Sequence, residues 1–369
     1  MSNHPAVYGT RLLAEAGHEL IRVEPSDGDW LRRLGPYLGD KPDLEHGAYH
    51  RFFNAGKKSL TLQLDHPDGR EVWQKLVRTA DAIVADGRLA GQAAALQAFN
   101  PNLTVTLMID EGLPELCAYA RGGLLMLTGH PGMAPAVMGG HVVYAATGMW
   151  AAFATSAALL ARQAVGRGQT VTIDLEQALE VFMDHAVEHY SQSGRKAERR
   201  GFRGNNTAVS GAFPCADGYW MLSVSQAADR WQQMMDWVQD PVLMADPGLA
   251  DEANRASQRD VILDRLALWC KDFKKQEAVE EAQRRHIPSA PVSTALDIVA
   301  DPQLIARGFL AEMDDMEFGS VMTPVGPLAT LAGRRLGPAP GLGEHTAELL
   351  AELGYTPAEC QALFGAGVV

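Results

Sequence analysis

A few short constellations in the sequence carry residue types that could do chemistry. His185, Glu188 and His189 form an H-x-x-E-H pattern, which on a helix would set two imidazoles on one face around a zinc ion. No third ligand follows at a metal-site spacing, so the pattern reads as a polar helix face and no metal is expected. His46 and His50 repeat the same step in a probable loop and read the same way. The run Asn54-Ala55-Gly56-Lys57-Lys58-Ser59 has the lysine of a phosphate loop. However, Arg51 stands where the first glycine belongs and Lys58 where a hydroxyl belongs, so nucleotide hydrolysis is excluded. Two lysines after a glycine still fit either a phosphate contact or a solvated strand start. Neither a G-x-S-x-G elbow nor a G-x-G-x-x-G fingerprint opening a βαβ unit occurs. Cys117, Cys215, Cys270 and Cys360 are scattered without a C-x-x-C pair, which suggests neither a zinc site nor a disulfide framework and fits free thiols in a reducing cytosol.

The bulk numbers set the frame for these residues. The chain has 369 residues, of which 47% are hydrophobic, enough for two domains or one large one. Its net charge of -13 argues against a nucleic-acid partner. No basic stretch followed by an apolar core opens the chain, so no secretory signal is visible and a cytoplasmic location is expected.

Strands and helices alternate along the first half. Residues 8–16 read as a helix stopped by Gly17, 19–23 as a strand and 59–64 as another. A helix starting at His66-Pro67-Asp68 puts Val72 and Leu76, and Trp73 and Val77, on one face. Short strands follow at 82–85 and 103–108, then a strand at 170–175 and a helix at 176–193. This order predicts a parallel sheet with covered faces. Composition shifts at Gly194, where RKAERRGFRGNN reads as a linker. Beyond it come a strand at 218–224, helices at 230–237 and 259–270, a Pro-punctuated connector at 287–292, a helical turn at 302–307 and a helix at 345–353. The expected partition is a large α/β part over 1–190, a smaller one over 205–290, and a return of the chain over 300–369.

One stretch dominates this layout. Residues 138–169 open on a glycine pair, run through about twenty uncharged residues, and end at Gly166-Arg167-Gly168-Gln169. That is long enough for a bilayer, but alanine, threonine and glycine gain little by leaving water. A buried helix, and no membrane partner, is expected. The loop before it is left as a place for chemistry.

Taken in order, LLAEAGHELIRVEPSDGDWLR, FFNAGKKSLTLQLDHPDGREVWQKLVRTADAIV, NPNLTVTLM, ARQAVGRGQTVTIDLEQALE, RGNN with DGYWMLSV, IPSAPV with DPQLIARGF, and GPAPGLGEHTAELLAELGYTPAE resemble class III CoA-transferases of the CaiB/BaiF type over nearly the whole chain. The resemblance implies a Rossmann-like large domain formed by both chain ends, a small α/β domain between them, and a ring-shaped chain that interlocks with a second as a dimer. It also implies transfer of CoA from an acyl-CoA to a carboxylate. An aspartate would form a mixed anhydride and then a thioester, with coenzyme A as co-substrate and no permanently bound cofactor.

The resemblance also locates departures. Counting back from Gly148, and independently from Gly166, the family aspartate falls on Tyr144. No Asp or Glu lies between Glu115 and Asp174, and an aryl ester of Tyr144 has no base in view. Where the family holds CoA through an Asn and an Arg, this chain has Asp86 and Gly87, then Ala94. The segment after Asn100-Pro101-Asn102-Leu103 is shortened to MIDEGLPELCAYARGG. The small-domain glycine loop is GNNTAVSG, with only Gly204 and Gly211. SNHPAV replaces the first loop, with His4 near a position often Gln. Arg32 stands at a CoA-contacting position, and Leu62, Asp65 and His66 fall in the adenine-side segment.

Loss at several points of one site, with the scaffold motifs kept, implies a non-catalytic or weakly catalytic subunit paired with an Asp-bearing paralogue. Two-subunit members, including succinyl-CoA:benzylsuccinate CoA-transferases, exist in the family. Two alternatives stand beside it. One is a homodimeric acyl-CoA racemase or isomerase with His141 and Tyr144 as acid and base. The other is an acyl-CoA-binding protein without turnover, with Arg32, Lys57 and Lys58 as phosphate partners.

Overall fold

The computed structural model describes residues 4–109, 114–203, 209–224, 228–315, 319–328 and 336–369. Residues 110–113 of the shortened segment and 204–208 of the glycine loop, Gly204 included, lie outside them. Two compact units result: Met1–Leu124 with Gly139–Asp184 and Pro302–Val369, and Leu125–Met138 with His185–Asp301.

The first unit opens with α1 (His4–Glu15), β1 (Ile21–Glu24), α2 (Ala48–Phe53) and β2 (Lys58–Thr61). It continues with α3 (Pro67–Thr79), β3 (Ala82–Asp86), α4 (Ala93–Phe99), β4 (Thr104–Ile109) and α5 (Glu115–Arg121). After a short α6 (Leu124–Leu127) come α7 (Val142–Val165), β5 (Thr170–Asp174) and α8 (Leu175–Glu180). β1 pairs with β2, and β3-β4-β5 form a second sheet, every pairing parallel. A cavity of about 520 Å³, lined among others by Ile21, Val23, Trp73 and Val84, lies between these β1 and β3 residues. The mixed α/β class expected from the alternation is present.

Local chemistry explains the elements that matter for the site. α3 starts where the His66 side chain accepts the Asp68 N–H, with Pro67 in the first turn, where its missing N–H costs nothing. Its buried Val72, Leu76 and Val77 form the apolar stripe. α7 ends at Gly166, left-handed at φ 74°, which donates its N–H to the Arg162 carbonyl. Two residues on, a Cβ on Gly168 would sit 2.0 Å from the Leu103 carbonyl oxygen, so only glycine fits against the approach to β4. At the other end of the helix, Gly9 of α1 and Gly148 of α7 form a close crossing. A Cβ at Gly9 would lie 2.7 Å from the Gly148 carbonyl oxygen.

α7 is long and apolar enough to span a bilayer by length and composition. Its Ala146, Ala151, Ala152 and Ala158 are nevertheless buried, with Ala151 packed beside Ala6 and Met108, and Ala152 beside Leu12 and Leu13. This is the packing of a core helix. Val142, Met149, Phe153 and Leu160 stay exposed. Their spacing places them along one stripe of the helix.

In the second unit α9 (Asp184–Ser193), β6 (Val209–Cys215), β7 (Gly218–Val224), α10 (Ala228–Val238), α11 (Pro241–Met244), α12 (Glu252–Ser257), α13 (Arg259–Cys270), α14 (Lys275–Arg284), β8 (Ser289–Pro291) and α15 (Ala295–Ala300) follow. An antiparallel sheet β6-β7-β8 covers a core that includes Phe213, Trp220, Met234, Ile262 and Leu266. The chain returns to the first unit as α16 (Pro302–Ala306), the antiparallel pair β9 (Leu310–Asp315) and β10 (Gly319–Pro324), α17 (Thr346–Glu352) and α18 (Pro357–Gly365). Leu349, Leu350 and Leu363 join Leu60, Leu62 and Val72 in one cluster.

Two local expectations are corrected. The helix expected over 176–193 is broken by a 3-10 turn at Val181–Met183, where the chain passes from one unit to the other. The Pro-rich connector at 287–292 contains a strand, because β8 is an edge strand, where proline's missing donor is tolerated. The β9–β10 pair was not foreseen.

Candidate active site

Tyr144 sits in the first turn of α7, half-buried, with its ring stacked on His141 at 5.8 Å between centroids and 22° between planes. His141 is the residue preceding the helix. One nitrogen, Nδ1, lies 3.0 Å from Glu115 Oε2, and the other, Nε2, lies 3.0 Å from the Tyr49 hydroxyl. A carboxylate only accepts, so the ring proton belongs on Nδ1, and Nε2 accepts from the phenol. Tyr49 in turn stacks on Phe53 at 6.1 Å and 15°.

His141, expected to pair with Tyr144, stacks on its ring, and its Nε2 hydrogen bond runs to Tyr49. Sequence reasoning missed Glu115 and Tyr49 entirely. Glu115 entered only as the edge of a carboxylate-free stretch.

Most of the residues expected to contact CoA lie in buried or paired surroundings. Arg32 is 0% exposed. Its Nε and Nη2 grip the two Glu24 oxygens, each at 2.8 Å. The other Nη2 proton goes to the Pro340 carbonyl, and Nη1 donates to the Leu44 carbonyl and to Glu45. All five donors are used within the protein. Burial alone would raise the Glu24 carboxyl, but the Arg32 hydrogen bonds and charge outweigh it and hold the group below its usual range. His50 lies against the same guanidinium. Burial first, then the Arg32 charge, push its pKa down to about 3, so it stays neutral. Its Nδ1 accepts from Asn54 and its Nε2 donates to the Pro340 carbonyl.

The lysines are likewise engaged. Lys57 is buried and donates to the Val7 carbonyl, the Thr10 hydroxyl and the Asn54 side-chain oxygen. Burial, then the nearby Arg22 and Arg11 charges, drop its pKa well below the ordinary lysine value. Lys58 is paired with Glu19 and Glu348. Neither presents a free ammonium.

Asp86 accepts the Arg88 N–H and pairs with its guanidinium, both at 3.0 Å. Burial works against ionisation there, but Arg88 outweighs it and lowers the pKa, so a paired carboxylate occupies the expected CoA loop. At Gly87 a Cβ would lie 2.8 Å from Ile109 Cδ1. Leu62 is buried in the core, Asp65 is exposed, and His66 caps α3.

His185, Glu188 and His189 lie exposed on α9, with Glu188 accepting from Gln192. His46 pairs with Asp43 at 2.8 Å. Among the described residues, no group of three or more His, Cys, Asp and Glu could hold a metal ion.

The α/β fold and the loop-to-helix site at α7 define the class, and comparison makes it definite. The family model described as CoA-transferase family III matches residues 2–346, and the chain belongs to that family. It is 30% identical to the succinyl-CoA:(R)-benzylsuccinate CoA-transferase subunit BbsE of Thauera aromatica, over 100% of this chain and 96% of that one. It is 28% identical to the succinyl-CoA:mesaconate CoA-transferase of Haloarcula marismortui, over 94% of this chain and 92% of that one. A CaiB/BaiF family protein from Brucella suis superposes with a TM-score of 0.80 at 25% identity, covering 94% of this chain and 95% of that one.

Proposed function

We propose that this chain is one subunit of a CoA-transferase that moves CoA between an acyl-CoA, such as succinyl-CoA, and a carboxylic acid, and that an Asp-bearing paralogue supplies the nucleophilic carboxylate. The single observation behind it is Tyr144, a phenol in the first turn of α7 where the family resemblance puts a carboxylate. A phenol cannot form the mixed anhydride or the acyl-CoA thioester on which such transfer runs. Several relatives are two-subunit enzymes by name, among them the Chloroflexus aurantiacus succinyl-CoA–L-malate CoA-transferase, with its alpha and beta subunits. The exposed Val142, Met149, Phe153 and Leu160 stripe on α7 fits a face covered in an assembly, in the interlocked manner of the family. A large unit completed by the returning C-terminal segment, beside a smaller one, supports this reading.

The test is purification of the chain alone and with a co-encoded Asp-bearing paralogue, followed by CoA transfer from succinyl-CoA to a panel of carboxylic acids. Transfer should require the pair. Full-rate transfer by the isolated chain, with borohydride and hydroxylamine trapping an acidic residue in it, would overturn the proposal. An alternative, a homomer of altered acyl-CoA chemistry, is favoured by one observation only: the hydrogen-bonded His141.

A further inference from the structure

Glu115, His141 and Tyr49 have no role in a chain that merely assists transfer, yet they are arranged as a catalytic set. A carboxylate holding Nδ1–H leaves Nε2 as a base, and the hydroxyl on that base is a primed nucleophile. Here that hydroxyl is the Tyr49 phenol, 3.0 Å from Nε2, its ring fixed by Phe53. The side chains of His141 and Glu115 are 36% and 24% exposed, so a ligand can reach them. The His141 side chain makes no cap hydrogen bond to α7, which begins at the next residue. The positive end of a 24-residue helix therefore begins beside the base. Such a helix end stabilises a developing oxyanion.

We infer that this chain cleaves acyl-CoA thioesters by itself, with Tyr49 as nucleophile, His141 as base and Glu115 as the positioning residue. This rests on the acyl-CoA binding proposed above. Tyr49 Oη attacks the thioester carbonyl carbon and its proton passes to His141 Nε2. The C–S bond breaks, and the imidazolium returns the proton to the CoA thiolate. The acyl group is left as an ester of Tyr49. Water then attacks that ester while His141 takes the water's proton. The phenolate leaves, recovers the proton, and the carboxylic acid is released. Thiols and phenols lose their protons only about 1.5 units apart, so the first exchange is close to even and the aryl ester stays activated for the second.

The experiment uses the full chain and succinyl-CoA. Free thiol is followed with a disulfide dye, and quenched protein is mapped by mass spectrometry. Thiol release above the uncatalysed rate is expected, with the acyl group on Tyr49. Tyr49→Phe, which keeps the ring and its stacking, should abolish both, as should His141→Asn. Glu115→Gln should lower kcat by about a hundredfold or more while KM stays within about twofold, the signature of a group that acts only in the transition state. Unchanged release by Tyr49→Phe, or an acyl group mapped to another residue, overturns the inference. Equilibrium dialysis with CoA separates the two layers. Binding without thiol release sinks the thioesterase alone, as does absence of binding to the isolated chain, whereas absence of binding to the chain co-purified with its Asp-bearing paralogue removes the CoA-transferase proposal as well.

Discussion

One proton on His50 should control much of the stability around Arg32. The residue is 1% exposed, and burial, then the Arg32 charge, hold its pKa at about 3 against an ordinary 6.5. Between those two values the unfolded chain binds a proton that the folded chain refuses. Folding therefore loses stability as the pH falls through that window, and recovers it above. From pH 7.5 to 4.5 the loss through this residue alone comes to about 2–3 kcal/mol. Glu24 acts lower down. Its carboxyl is depressed, because Arg32 outweighs burial, so its contribution is present above the ordinary carboxylate pKa and lost as the pH falls further. His50→Gln isolates the imidazole, since the amide offers an acceptor to Asn54 and a donor to the Pro340 carbonyl but does not titrate. The variant should be the less stable protein at pH 7.5, and its deficit should shrink by about 2–3 kcal/mol at pH 4.5. The assay is urea-dependent hydrogen exchange on peptides spanning β1 and β2, because a chain with two compact units need not unfold in one step. Parallel pH profiles for the two proteins would refute the reasoning.

Two further outcomes follow from packing. Gly148→Ala drives a Cβ to 2.8 Å from the Pro5 carbonyl oxygen and 2.9 Å from Tyr8 Cβ. It should cost about 1–3 kcal/mol of overpacking, read as a lower urea midpoint for peptides of α1 and α7. Phe153→Asp with Leu160→Asp places charge on the exposed α7 stripe. It should dissociate the proposed assembly in light scattering with little effect on the folded chain, and an unchanged mass would show that the stripe is not an interface.

The parts of the fold written in local signals were legible. The uncharged run, with its Gly166 and Gly168 terminator, specifies α7 because a left-handed cap and a backbone-on-backbone approach each demand glycine. His66, Pro67 and the apolar positions of α3 specify its start and buried face in the same way. The site was less legible, because chemistry there is assembled across the chain. Tyr49 lies 92 residues from His141 and Glu115 lies 26, separations at which spacing carries no information about contact. Arg32 was placed by its position in a family pattern, and position says nothing of burial. The signal available was the company it keeps: Glu24 and Glu45 within the same stretch are two acids with which a buried guanidinium could pair.

α2 brings the two halves of this picture together. Its neighbouring residues Tyr49 and His50 project to different surroundings, one half-buried against His141 and the other sealed against Arg32. A six-residue helix has little stability of its own. The Asn54 N–H donated to the His50 carbonyl closes its last turn, and Asn54 also joins the His50 ring to Lys57. The buried polar network therefore fixes the backbone that carries Tyr49. A phenol can be held on a histidine nitrogen only if the chain beneath it does not move, and the buried, fully hydrogen-bonded Arg32 helps to keep that chain in place.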